Sequence, residues 1–165
     1  MVPIGDNPRG TAGLYEFGGS SSEKRPMAFA SGGNIWINKD GGKIASLLDD
    51  VNNLVSTLVH ENAHKIAKHG EDGDRTSKID AEKVAYSAQV SHKSYTKTTK
   101  DFQYQIVGGY ASYLMDSKAG YESISNRVSE FNKLLPKGSH YKLDFKPNFQ
   151  SFEIKIKEIK EIKER

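Results

Sequence analysis

Residues 60–64 read His-Glu-Asn-Ala-His, so two imidazoles stand four positions apart with a carboxylate one place after the first. On an α-helix that spacing puts both imidazoles on one face, one turn apart, as two ligands of a single metal ion require. Indexed at 100° per residue from Leu47, the apolar residues Leu47, Leu48, Val51, Leu54, Val55, Leu58, Val59 and Ile66 fall in an arc from about 340° through 0° to about 120°. His60 and His64 fall at about 220° and 260°, beside Asn53, Ser56 and Thr57. The pattern predicts a helix anchored by its apolar stripe, with both imidazoles on the opposite face, turned into a cleft. Glu61 falls at about 320°, at the edge of the ligand face. A carboxylate there can take the proton of a water that zinc has acidified while that water attacks a carbonyl. Glu61 also stands four positions before Lys65, the spacing of a helical ion pair.

Two imidazoles leave a catalytic zinc one protein ligand short. The 165 residues include no Cys and five His, which excludes disulfides, thiol catalysis, Fe–S clusters and Cys-bound zinc. The third ligand must therefore be His, Asp or Glu. His69 falls at about 40° on the wheel, under the apolar stripe, and beside Gly70, a candidate C-cap. It reads as structural. Ser77-Lys78-Ile79-Asp80 reads as a capping box that opens the next helix, with Ser77 as N-cap and Asp80 at the third helical position. That occupies Asp80 and leaves Glu82 free to project as the third ligand, with Asp80 as its substitute. Ala81, Ala85 and Ala88 form a small-residue stripe beside Glu82 that permits close packing on the first helix.

The elements that must position these groups follow from periodicity and punctuation. Met27–Ala30 and Asn34–Asn38 read as short strands around Gly32-Gly33. Helices are expected at about 44–69, 78–95, 101–118 and 121–135, the last stopped by Pro136 and Gly138. The end of the chain mixes strand-like alternation (Tyr141, Leu143, Phe145; Phe152, Ile154, Ile156) with a helix-like spacing of Ile156, Ile159 and Ile162, which leaves it undecided. The expectation is an α+β fold: a small N-terminal sheet, then a mainly helical body, in one domain over 1–165. Residues 1–25, rich in Gly and Ser, read as flexible, and 150–165 as a charged, solvated tail. The formal net charge is +3 and the Lys/Glu run at the end nearly cancels, so no nucleic-acid partner is expected. No apolar run approaches 18 residues, so no membrane span is expected, and Met1–Gly10 does not read as a signal peptide.

The motif and its context resemble the gluzincin branch of the zincin metallopeptidases, in which HExxH is followed by a Glu on the next helix. Thr57 three residues before His60, uncharged Asn62 and Ala63, and Ile66 two after His64 match the longer pattern of that family. Lys65 departs from it, and Glu82, with 17 residues between it and His64, stands slightly early. The resemblance covers about residues 34–90. It implies a zinc-dependent peptidase with His60, His64 and Glu82 as ligands and Glu61 as general base. It also implies a polypeptide substrate held along a strand before the active-site helix, with Asn34–Asn38 the candidate. Zincins stabilise the oxyanion with a Tyr or His. Tyr86, one turn after Glu82, is assigned that part or the support of the ligand, and His92, Tyr95, Tyr110 and His140 are further candidates. Size and the Gly-rich beginning also resemble the C-terminal toxin domain of a bacterial polymorphic toxin of the RHS type. That resemblance implies secretion or delivery into a target cell as part of a larger protein, and an immunity protein that blocks the cleft. Two other readings stand beside it: a non-catalytic zincin-fold binding module, and a nuclease-type effector using His60 or His140.

Overall fold

The computed structural model describes residues 27–31, 34–37, 39–40, 43–69, 76–117, 119–148 and 151–160. Residues 1–25, the candidate C-cap Gly70 and the last five residues lie outside them.

The helix that carries the His pair, α1 (Val51–Ile66), starts later than periodicity predicts. Asp50 is the reason: its carboxylate accepts hydrogen bonds from the Asn52 and Asn53 amides at 2.8 and 3.0 Å, satisfying two orphan donors of the first turn. Residues 44–50 form instead the end of a short strand and a 3-10 turn, Ser46–Leu48. The helix also ends before 69. Lys68 is left-handed (φ 55°), its amide bonds the Lys65 carbonyl, and the His69 amide bonds the His64 carbonyl. This is a Schellman turn with Lys at the position usually given to Gly, so the chain reverses one residue before His69 and two before the expected stop, Gly70.

The capping box holds as read. Ser77 accepts from the Asp80 amide and donates to the Asp80 carboxylate at 2.6 Å, opening α2 (Lys78–Ser91). This helix ends at Ser91, short of Tyr95, which starts a separate 3-10 turn. Thr99 caps α3 (Lys100–Asp116), and α4 spans Tyr121–Leu134. Three antiparallel pairs complete the α+β architecture among the described residues: β1 (Ala28–Ser31) with β2 (Asn34–Ile37), β3 (Lys39–Asp40) with β4 (Lys43–Ile44), and β5 (Tyr141–Pro147) with β6 (Phe152–Glu158). Up to Glu158, strand β6 follows the alternation through Ile154 and Ile156, which pack on the core from the hairpin.

The core is centred on α3, with Phe102, Val107, Tyr110 and Leu114, and is joined by Ile124, Val128 and Phe131 of α4 and Leu143 of β5. Burying side chains of this kind contributes about 1.5–3 kcal/mol each. Two buried amides tie the layers together. Asn53 of α1 donates to the Leu47 carbonyl and the Thr99 hydroxyl and accepts from the Thr99 amide, locking α1 to the start of α3. Asn132 of α4 makes the same two-way bond to the backbone of Leu143.

The orientation of α1 reverses the one its apolar stripe predicts. The buried residues are Asn53, Ser56, Thr57 and Glu61, with His60 and His64 half-buried next to them. Val51 is 66% exposed, Val55 37% and Ile66 73%. The reason is what faces the helix. Its inner side meets α2 and the β1–β2 hairpin, and α2 turns Glu82 and Gln89 inward, so the polar groups of the two helices meet each other. Leu54 and Leu58, at the border of the two faces, still reach the core.

Candidate metal centre

Helix α1 carries His60 and His64 one turn apart, and α2, packed alongside, brings Glu82 to them. The two Nε2 atoms are 3.2 Å apart, and Glu82 Oε2 lies 3.5 Å from the first and 3.7 Å from the second. Ligand atoms at three corners of a tetrahedron with metal bonds of about 2.0–2.1 Å stand about 3.3 Å apart. The three separations match that edge, so the group can hold a metal ion, and its chemistry, two imidazoles and a carboxylate, suits zinc. Asp80, two residues earlier, faces elsewhere: it is bound by Ser77 and by Arg127 of α4, whose Nη2 is 2.7 Å away.

Charge and burial are balanced within the group. Burial works against ionising Glu82, but hydrogen bonds and charge from His60 and His64 hold its pKa down at about 2. Burial likewise opposes a charged His64, and the neighbouring Glu82 carboxylate outweighs it, raising the His64 pKa. Glu61 is buried beside the pair. Burial raises its pKa, against the lowering pull of both imidazoles and of a hydrogen bond from the Ala30 amide.

The group opens on a cavity of about 680 Å³. One wall is made by Met27 and by Ala28, Phe29 and Ala30 of β1, whereas no residue of β2 lines it. The expected cleft strand, Asn34–Asn38, is therefore corrected to its hairpin partner. Strand β2 is the inner member, with Trp36 and Ile37 buried. Among the described residues β1 pairs with β2 alone.

Tyr86 sits where the sequence places it, one turn beyond Glu82, with its ring edge-on to His60 at 4.5 Å. Its hydroxyl points at α3, where a side chain on residue 109 would collide with it, so only Gly fits there. The tyrosine that reaches the cleft from α3 is Tyr113, which lines the cavity and interacts with the Glu82 carboxylate. Burial, with the charge of Glu82, pushes its pKa up to about 12, so it stays a hydroxyl donor. In sequence it stands with Tyr104 and Tyr110 among the aromatics of the third helix. His92, Tyr95, Tyr110 and His140 do not line the cavity.

Two neighbours were missed. The Nδ1 of His60 lies 3.1 Å from Gln89 Oε1, and the Nδ1 of His64 lies 3.0 Å from His69 Nδ1. The helical wheel put His69 some 140° from His64 because it continued the helix to residue 69. The left-handed turn at Lys68 brings it back. For Gln89 a signal was present: Glu82, Tyr86 and Gln89 follow the i, i+4, i+7 spacing of one helix face.

A helix-borne imidazole pair, closed by a carboxylate of the next helix and flanked by a buried glutamate at a cleft, has the donor set of a metal-dependent hydrolase. The comparison with protein families agrees: the chain belongs to the family described as metallopeptidase toxin 2, whose model matches residues 5–143. The match runs well beyond the 34–90 span of the recognised motif and reaches Leu143 in β5. No curated protein and no solved structure matches the chain significantly.

Proposed function

We propose that the chain is a zinc-dependent peptidase with a zincin-like active site, serving as the toxin domain of a larger protein that is secreted or delivered into a target cell. The observation that carries this reading is the convergence of His60, His64 and Glu82 at separations of 3.2, 3.5 and 3.7 Å, beside Glu61 and open to the cleft. His60, His64 and Glu82 would hold the zinc, which when bound would act as a Lewis acid on the scissile carbonyl and acidify water.

The chain supplies the rest. Glu61, made more basic by burial and aimed by the Ala30 amide, takes a proton from the attacking water and returns it to the departing amide nitrogen. Strand β1 runs along the cavity, so an extended polypeptide lies beside it across the metal group. Tyr113, a neutral hydroxyl at the cavity wall, donates to the developing oxyanion, and Tyr86 holds the ring of His60. As a toxin domain it has an immunity protein as its natural inhibitor, seated over the same cleft. Among the described residues no helix is long and apolar enough to cross a membrane.

Metal analysis of the purified protein, paired with a polypeptide digestion assay on wild type and Glu61→Gln, tests the proposal. One zinc per chain and cleavage that Glu61→Gln abolishes are expected. Absence of bound zinc would end the reading, and stoichiometric zinc with no hydrolysis would turn it into that of a binding module.

A further inference from the structure

The imidazoles of the metal group are each held at the far nitrogen. His60 Nδ1 meets the side-chain oxygen of Gln89, which is 1% exposed and on the α2 face that carries Glu82. His64 Nδ1 meets Nδ1 of His69, carried there by the Schellman turn at Lys68. An amide oxygen only accepts, so the His60 ring keeps a hydrogen on Nδ1 and, when neutral, presents a lone pair at Nε2. His69 can do the same for His64 when its own hydrogen is on Nε2, which leaves its Nδ1 an acceptor.

The geometry points to Gln89 and His69 as positioning residues that lock His60 and His64 in the Nδ1–H tautomer, an inference that rests on reading those two histidines as zinc ligands. The consequence is physical. When both rings are neutral and their hydrogens sit on the outer nitrogens, two Nε2 lone pairs and a Glu82 carboxylate oxygen converge within 3.7 Å of one another. Three acceptors facing one point are mutually repulsive until a cation sits among them. The two partners thereby raise metal affinity by removing the competing arrangement, in which one Nε2–H donates to the other ring. They work on different ligands from different elements, one inside a helix and one in a turn, so each can be tested without the other.

Gln89→Met removes the acceptor at similar volume and Gln89→Glu keeps it. His69→Leu and His69→Asn form the matching pair, since the Asn side-chain oxygen can take the place of Nδ1. Zinc affinity is read by competition with a chromophoric chelator, tautomers by long-range proton–nitrogen spectra of the imidazoles, and integrity by thermal melting of the zinc-free protein. We expect Gln89→Met and His69→Leu each to weaken zinc binding about 10–100-fold with melting unchanged, and the acceptor-keeping variants to stay within a few-fold of wild type. Wild-type affinity in both Gln89→Met and His69→Leu overturns the inference. If the wild type binds no zinc, the zinc reading fails by itself. The spectra, recorded about two pH units above the ordinary imidazole pKa, then decide: an Nδ1–H preference at His60 lost in Gln89→Met supports the inference, and spectra unmoved by the substitutions overturn it.

Discussion

The two long faces of α1 have exchanged the places their composition suggests. The inward face holds Asn53, Ser56, Thr57, His60, Glu61 and His64, and the outward one holds Val51, Val55 and Ile66. A helix gains most by burying apolar area, so turning a polar face inward needs compensation. Asn53 has it in full, through three hydrogen bonds to two partner residues. The His pair has it through Gln89, His69 and Glu82. Ser56 and Thr57 do not: their hydroxyls find no partner among the described residues, at a cost of about 1–3 kcal/mol each. The lesson is that the face bordering the candidate metal group is the less fully compensated one, while the apolar burial is concentrated in the α3–α4 core.

The contrast can be broken most sharply at the His60–His64 end of the inward face. Glu61→Gln is expected to cut peptide hydrolysis about 10²–10⁴-fold while zinc content stays at wild-type level, as read by a cleavage assay with metal analysis. His64→Ala should instead lose the metal together with the activity, and removal of zinc by a chelator should reproduce that loss in the wild type. Farther along the same face, Asn53→Leu removes the partner of the Leu47 carbonyl and the Thr99 amide. A loss of about 2–4 kcal/mol in denaturant unfolding is expected, with unchanged activity in whatever remains folded.

Helix α2 repeats the contrast on a smaller scale, with two carboxylates two residues apart. Glu82 is buried in the metal group and Asp80 is half-exposed between Ser77 and Arg127. Hydrogen bonds from Ser77 and then Arg127 lower the Asp80 pKa below its ordinary 3.8. The folded value lies below the unfolded one, so this stabilisation is complete above pH 3.8 and fades as pH falls through the folded value. Solvent screening keeps it under about 1 kcal/mol. Asp80→Asn should therefore lower stability slightly at neutral pH and flatten the fall of stability at the acid end, as followed by thermal melting across pH. The smallest effect is expected on the outward face of α1. Val51→Ser and Ile66→Lys should change stability by no more than about 0.5 kcal/mol, whereas burial of that stripe in the folded chain would make the same changes cost several-fold more.

Some of this was legible in residues close together in sequence. The Ser77–Asp80 box, the start of α2, the separation of Glu82 from Asp80, and the pairing of Ala28–Ser31 with Asn34–Ile37 all depend on contacts within a few positions. The misreadings share a cause as well. The start of α1 at Val51 followed from the cap at Asp50, overlooked beside a longer apolar rhythm, and the dismissal of His69 followed from extending that helix through Lys68. The choice of β2 as the cleft strand took nearness in sequence for nearness in space.

The sequence by itself determined that His60 and His64 share a helix face with Glu61 beside them, that a capped helix presents Glu82 after them, and that no Cys could take part. These follow from helical spacing and cap hydrogen bonds, which close within a turn or two. Only the tertiary structure decided which face of α1 turns inward, which strand borders the cleft, and that Gln89 and His69 stand behind the two imidazoles. The outcome depends on what the opposing elements offer. The polar inner side of α2 and the left-handed turn at Lys68 outweigh the apolar stripe, and no periodicity within α1 records either.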